Sequence, residues 1–241
     1  RAWVPPLLRQ CRLVLTNSHF TAGEIQRCAG LQEGRIQVIP LGYDAQRFRP
    51  GPPSAEALRR PYLLHVGQAY PHKNLRRLIR AFAQLAPCHP EVRLVLAGKP
   101  HPTETPLLKA VVGELGLQRQ VEFRSYVPVD DLPDLYRCAL ALVYPSLWEG
   151  FGLPILEAMA CGTPVLTSLG SGTQELAGDA ALLVDPKDDS QLILAIRALL
   201  EEPELRCRLA ARGVERAKPM DWHRTAMQTQ AWVSKALCWD G

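Results

Sequence analysis

The sequence predicts an α/β protein built on a Rossmann-like, doubly wound parallel sheet, and three observations predict it. Short, almost wholly apolar runs alternate with amphipathic helical patterns, as expected of strands covered on both faces. One of these runs, from Tyr62, ends at Gly67, where a strand turns into a helix. The 241 residues suffice for a large core, and 47% hydrophobic with 22% charged residues is the balance of a globular chain.

Tyr62 to Gly67 reads as a buried strand ending in Gly. In the helix that follows, Leu75, Leu78, Ile79 and Phe82 fall at i, i+3, i+4 and i+7 and form one face. The cycle repeats with a strand at Val92–Ala97, a helix at Pro106–Leu115, a strand at Val121–Phe123 and a helix at Leu132–Cys138. It continues with a strand at Ala139–Tyr144, a helix at Pro154–Ala160, a strand at Pro164–Thr167 and a helix at Thr173–Ala177. A strand at Ala181–Val184 and a helix at Ser190–Leu200 close the pattern, and Pro203–Leu237 reads as two helices broken near Pro219. Ligands of such a sheet bind at the C-terminal ends of its strands.

The first 60 residues differ. Arg12–Thr16 and Ile36–Ile39 are strand candidates around a helical stretch, Phe20–Cys28, and Arg49-Pro50-Gly51-Pro52-Pro53-Ser54 reads as a linker. The expected organisation is the end of one domain in 1–42, a linker in 43–60, a complete domain in 61–218 and a C-terminal helix in 219–241. The two early strands, near Val14 and Val38, have no further strand of their own; they are expected to be mobile, to pack on the second domain or to pair with another chain.

The net charge of +4, from 28 Lys+Arg against 24 Asp+Glu, is too small to argue for nucleic acid. Arg76, Arg77 and Arg80 share one helix and leave room for weak attraction to an anionic membrane surface. No apolar run reaches the ~20 residues of a membrane span. The seven cysteines lack any zinc-like spacing and read as reduced thiols of a cytoplasmic compartment.

The chemistry concentrates in Tyr144-Pro145-Ser146-Leu147-Trp148-Glu149-Gly150-Phe151-Gly152-Leu153-Pro154, where a strand ends, a Gly-rich loop follows and Pro154 opens a helix. Free N–H groups at a helix start suit a diphosphate, and glycines 150 and 152 let backbone approach a ligand. Glu149 and Glu157 flank this point, and carboxylates accept strong hydrogen bonds from vicinal sugar hydroxyls. Spacing alone leaves open that both are surface acids.

The context EGFGLPILEAMACGTPV, with Glu149 and Glu157 in an E-x7-E pattern, resembles the retaining GT-B glycosyltransferases of family 4. YLLHVGQAYPHKNLRRLIRAF, VEFRSYVPVDDLPDLYRCALALVYPS and SGTQELAGDAALLVDP are similar to that family's neighbouring segments. NSHFTAGEI and RIQVIPLGYDAQRFRP resemble the end of its first domain and the crossing into the second. The closest flavour is the bacterial mannosyltransferases that build O-antigen and other surface polysaccharides.

The resemblance implies the C-terminal, donor-binding domain of a GT-B fold with a remnant of the N-terminal domain. It implies transfer of a sugar, with mannose the first guess, from a GDP- or UDP-sugar to a saccharide or lipid-linked acceptor with retention of configuration. No metal or other cofactor is implied, and the family's N-terminal acceptor domain would be a partner. The place would be the cytoplasm, including peripherally the inner face of the membrane. Glu149 would contact the donor sugar, Lys73 the leaving diphosphate and Glu157 the ribose. The backbone of Gly150, Phe151, Gly152 and Leu153 would line the site, that near Tyr126 and Val127 would hold the base, and Gly67 would leave it room. His72 stands where the family carries an Arg beside the Lys, and Gln174 and Ser125 stand where Pro and Gly are expected. The alternatives are a non-catalytic nucleotide-sugar binding module and a GT-B hydrolase or epimerase.

Other candidates have plainer readings. Asp130-Asp131 and Asp188-Asp189 precede helices and read as caps rather than metal ligands. His65 reads as a satisfied core residue, His19 as a turn residue, Trp222 and Trp232 as packing anchors, and Cys161 as packing.

Overall fold

Strands that are apolar throughout need cover on both faces, and the helices supply it. The computed structural model describes residues 4–52 and 60–238; the part of the expected linker from 53 to 59 lies outside the described residues. The chain opens with α1 (Val4–Gln10), which the sequence reading had passed over, then β1 (Val14–Thr16), α2 (His19–Ala29) and β2 (Ile36–Val38). Next come β3 (Tyr62–Val66), α3 (Leu75–Leu85), β4 (Arg93–Ala97), α4 (Glu104–Glu114), β5 (Val121–Arg124) and α5 (Leu132–Arg137). The chain continues through β6 (Ala141–Tyr144), α6 (Leu153–Ala160), β7 (Val165–Ser168), α7 (Gly172–Ala177), β8 (Leu182–Val184) and α8 (Asp189–Glu201). It closes with α9 (Pro203–Ala217) and α10 (Trp222–Leu237), whose break falls at Pro219 as expected.

Strands β3 to β8 form one parallel six-stranded sheet in the order β5-β4-β3-β6-β7-β8. Alternate residues of one strand serve opposite cores. Leu94 and Leu96 of β4 pack with Phe82, Val112 and Ile196 from α3, α4 and α8. Val95 and Ala97 pack with Tyr136, Ile155 and Met159 from α5 and α6. The chain starts the sheet at β3, builds outward to β5, then returns to place β6 on the other side of β3. The β3/β6 boundary is therefore the topological switch point, where the crossovers diverge and leave a crevice.

The first strands correct one expectation. β1 and β2 pair in parallel with each other, Val14 opposite Ile36 and Thr16 opposite Val38. The intervening α2 is a parallel crossover, so the unit satisfies its own ladder, and Val14, Ala29, Leu31 and Ile36 give it a small core. The reading that this unit packs on the larger domain holds, since α2 contacts α7. Two smaller expectations also fail. Trp222 is 45% exposed and α10 buries no residue; its start is tied to the chain by Thr225 Oγ1 donating to the Pro40 carbonyl at 2.8 Å. Asp131 makes no capping bond and Asp130 pairs with Arg47 at 3.2 Å, whereas Asp188 does cap α8 through the Gln191 N–H.

His65, at the end of β3, is fully buried. Its Nδ1 lies 3.0 Å from the Val143 carbonyl, which makes it the protonated nitrogen of a neutral ring, and its Nε2 has no protein partner. The residue belongs to the core, but only half of its hydrogen bonding is satisfied. Burial pulls its pKa from 6.5 down to about 4, helped by the nearby Lys73 charge. The unfolded chain thus binds a proton that the fold excludes, so this contribution to stability is present above pH 6.5 and is lost as pH falls towards 4. His65→Phe is expected to remove that dependence, worth at most about 3 kcal/mol, in denaturant unfolding at pH 7 and pH 4.5. An unchanged pH slope would contradict it.

Candidate active site

Two loops leave the sheet at the switch point and meet. The loop after β3 carries a single 3-10 turn, Pro71–Lys73, ended by Asn74 in the left-handed region (φ 60°). Asn is among the few non-glycine residues that tolerate this conformation, and its side chain makes the position useful. Asn74 Nδ2 donates to the carbonyls of Pro145 at 3.1 Å and Pro186 at 2.8 Å, tying this turn to the loops after β6 and β8. The Leu147 N–H donates to the His72 carbonyl at 2.7 Å and completes the seam.

That seam brings Lys73 onto Glu149. Lys73 Nζ donates to Glu149 Oε1 at 2.5 Å and to Tyr144 Oη at 2.6 Å, and lies 4.8 Å from the Tyr144 ring centroid. The two charged side chains are 12% and 14% exposed, so water screens them little. Burial first, then the Glu149 charge, raises the Tyr144 pKa and keeps the phenol neutral as a donor. His72 is half exposed, with Nε2 3.9 Å from Glu149; burial and Lys73 lower its pKa, so it adds no permanent second cation.

On the other side of Glu149 the chain enters α6. Gly152 caps the helix with φ 102°, a conformation that a side chain would strain, and Pro154 stands in the first turn. In the first turn of α6 Pro154 has no N–H, and those of Ile155 and Leu156 donate to the Gly152 carbonyl, which leaves the Leu153 N–H, with Phe151 and Gly152 just before it, as donors at the positive end of the helix. Glu157, one turn into α6, accepts from the Tyr136 hydroxyl at 2.7 Å. Burial raises the Glu157 pKa, and the Tyr136 bond offsets part of that rise.

Of the residues singled out in the sequence, Lys73, His72 and Glu149 are in direct contact, and Gly150 to Leu153 and Glu157 follow on the same loop and helix. Gly67 ends β3 with its missing Cβ 3.6 Å from His65 Nε2 and 3.7 Å from Lys73 Cε. It lines a cavity of about 190 Å³ with Gly98, Lys99, Arg124 and Ser125, at the C-terminal ends of β3, β4 and β5. Tyr126 and Val127 are not in this cavity; they line a separate one of about 400 Å³ with Tyr62, Arg93 and Arg124.

Four residues of the site were not singled out from sequence. Asn74 is one, although an Asn before a helical pattern in a Pro-containing loop is a signal for a left-handed residue. Gly98 has no room for a Cβ, which would lie 2.2 Å from the Gly67 carbonyl oxygen; a Gly ending the next strand was the available sign. Tyr144 closes the Lys73–Glu149 contact, and Lys99 adds a cation to the cavity rim.

The site thus combines a cation, a carboxylate and backbone N–H groups at a helix start, the kinds of group that hold an anion and a hydroxyl-rich ligand. Comparisons with known proteins identify the family and the fold. The chain is 36% identical over 233 residues to O-antigen chain mannosyltransferase B of Escherichia coli, covering 92% of this chain and 60% of that protein. It is also 36% identical to the D-inositol 3-phosphate glycosyltransferase of Acidothermus cellulolyticus, covering 88% of this chain and 50% of that protein. The chain thus spans 50 to 60% of the length of these curated relatives. Sucrose-phosphate synthase from Thermosynechococcus elongatus superposes with a TM-score of 0.86 at 29% identity, over 97% of this chain and 60% of that one. The C-terminal domain of a glycosyl transferase group 1 family protein from Francisella tularensis superposes with a TM-score of 0.67 at 26% identity, over 74% of this chain and 97% of that one. The six-stranded parallel sheet with helices on both faces is the C-terminal, Rossmann-like domain of the GT-B glycosyltransferases. Residues 51–216 match the family described as Glycosyl transferases group 1, and the chain belongs to that family.

Proposed function

We propose that this chain carries the donor site of a retaining, family 4 glycosyltransferase. It moves a hexose from a nucleoside-diphosphate sugar to a saccharide or lipid-linked acceptor, and needs no metal ion. The observation that carries the reading is the Lys73–Glu149 contact at the switch point, on the loop whose Phe151, Gly152 and Leu153 N–H groups lead into α6. Mannose carried by GDP is the first sugar to test, because mannosyltransferases stand among the relatives.

Each residue then has one task. Lys73 turns from Glu149 to the diphosphate and, with the N–H groups of Phe151, Gly152 and Leu153, stabilises the charge that grows as the sugar–phosphate bond breaks. Glu149, released by that movement, accepts hydrogen bonds from the sugar hydroxyls. Glu157 uses the oxygen that Tyr136 leaves free to accept from the ribose. The cavity edged by Gly67, Gly98 and Lys99 takes the rest of the nucleoside. Peripheral association with an anionic membrane falls chiefly to Arg80, since Arg76 pairs with Glu104 and Arg77 with Asp189.

Calorimetric titration with GDP, UDP and ADP, followed by the matching sugar nucleotides, tests the reading. Saturable binding to one base, tightened by the attached sugar, is expected. A folded protein that binds none of them would sink it.

The raised pKa of Glu157 adds a pH prediction. Its carboxylate is a full acceptor above that raised pKa and loses the role as pH falls through it, so affinity should begin to drop above the ordinary carboxylate range. A sugar nucleotide is the right probe, because its diphosphate diester does not titrate there. Glu157→Gln should weaken binding about tenfold at pH 7.5 and flatten the acid limb; a variant that keeps the limb would assign it to another group.

A further inference from the structure

The small β1-α2-β2 unit touches the donor loop at its most sensitive point. α2 starts at Ser18, whose Oγ accepts the Thr21 N–H at 3.0 Å and donates to the Gly150 carbonyl at 2.6 Å. Thr21 Oγ1 reaches the same carbonyl at 3.4 Å. The first turn of α2 is held from the opposite side. Glu175 of α7 accepts the His19 N–H at 3.0 Å on one oxygen and the Phe20 N–H at 3.1 Å on the other. A carboxylate on two free N–H groups at a helix start joins a charge-assisted bond to a favourable dipole. Arg216 steadies the base of this arm through the Glu175 and Leu176 carbonyls, at 2.9 and 3.0 Å.

The contacts close into a ring. The Glu149 carbonyl accepts the Gly172 N–H at 2.9 Å; Gly172 begins α7; α7 carries Glu175; Glu175 holds α2; and Ser18 of α2 returns to the Gly150 carbonyl. Both carbonyls flanking the Gly150 nitrogen and α-carbon are thereby fixed by groups outside the loop. A Gly has no side chain to limit its own backbone, so without the ring the Glu149–Gly152 segment would sample many conformations.

We propose that Ser18 and Glu175 are positioning residues of the donor site. They form a latch that locks the backbone on both sides of Gly150 and so keeps the Glu149 carboxylate where the donor sugar arrives. The proposal deepens the reading of Glu149 as the sugar contact and rests on it for its effect on binding. The latch itself does not depend on that reading. It also gives the β1-α2-β2 unit a task in the site.

Two measurements on the full chain test it. In hydrogen exchange without ligand, Ser18→Ala and Glu175→Gln should each speed exchange of the Gly172 amide, which donates to the Glu149 carbonyl, about tenfold or more, leave the α3 and β4 amides unchanged, and Ser18→Thr should restore protection. Exchange of the Gly172 amide unchanged in both the Ala and the Gln variants overturns the latch. In titrations of GDP and GDP-mannose, or the base and sugar found to bind, both variants should lose about fivefold to tenfold more affinity for the sugar nucleotide than for the diphosphate, whose own smaller loss reports the loop N–H groups. Equal losses for both ligands would mean a structural role only and would overturn the positioning claim. If the unaltered chain binds no nucleotide, the functional reading fails while the exchange result still decides the latch.

Discussion

Replacing Lys73 with Ala is expected to weaken nucleoside-diphosphate binding roughly ten- to hundredfold, the worth of about 1.5–3 kcal/mol for a hydrogen bond to a charged group. Where turnover is measured with an acceptor, the rate constant should fall further, by about 10²- to 10³-fold, because charge on the leaving diphosphate grows only as the bond breaks. The substitution also strands Glu149. That carboxylate is 14% exposed and would keep only His72, at 3.9 Å, and Tyr144 near it. An unpartnered, mostly buried carboxylate costs about 1–3 kcal/mol, and each kcal/mol lowers the melting temperature by roughly 2–4 °C in a chain of this size. The two effects separate in the double variant with Glu149→Gln, which should recover part of the melting temperature and none of the diphosphate affinity. A single variant that binds GDP as tightly as the parent would remove Lys73 from the site. Lys73→Arg is not expected to rescue it fully, because the side chain sits 12% exposed in a short turn against the Tyr144 ring and a guanidinium does not fit the space of an ammonium.

The larger domain was readable because its strands are buried on two faces. Leu63 and Leu64 of β3 serve opposite cores, so the strand is apolar without interruption and stands out from the amphipathic α3 beside it. Glu149, Glu157 and the glycines between them were readable for a related reason, as they share one continuous loop and helix. What escaped depends on contacts between distant stretches. The Asn74 side chain has its meaning only once Pro145 and Pro186 are brought to it, and Glu175 reads as an ordinary first-turn acid until α2 is placed over it. The pairing of β1 with β2 was open to a βαβ reading; treating each strand as lacking a sheet overlooked that two strands joined by a helix can pair with each other. Trp222 failed in the opposite direction, since aromatic content predicts burial only where another element arrives to cover it.

Gly172→Ala tests the packing of the loop with the smallest change available, one methyl group. The Cβ of an alanine there would lie 2.1 Å from the Gly150 carbonyl oxygen and 2.6 Å from its carbon, distances no real contact tolerates. The obstacle is backbone, so no rotamer change relieves it; either α7 withdraws or the Gly150 peptide turns. Withdrawal stretches the bond from the Gly172 N–H to the Glu149 carbonyl and carries Glu175 away from α2. Turning the peptide breaks the bond from Ser18 and swings the backbone that bears Glu149. Overpacking of this kind costs about 1–3 kcal/mol, so a melting temperature lower by several degrees is expected, with a protein that still folds around its intact sheet. The functional loss should exceed the stability loss: sugar-nucleotide affinity should fall at least tenfold, because an error of about 1 Å in a positioned group costs far more in recognition than in folding. Ala at a site of ordinary negative φ adds no conformational penalty of its own, so the result reports on space alone. If Gly172→Ala binds sugar nucleotide like the parent, then the close approach of α7 to the donor loop is incidental, and Glu149 owes its position to Lys73 and Tyr144 without help from the backbone behind it.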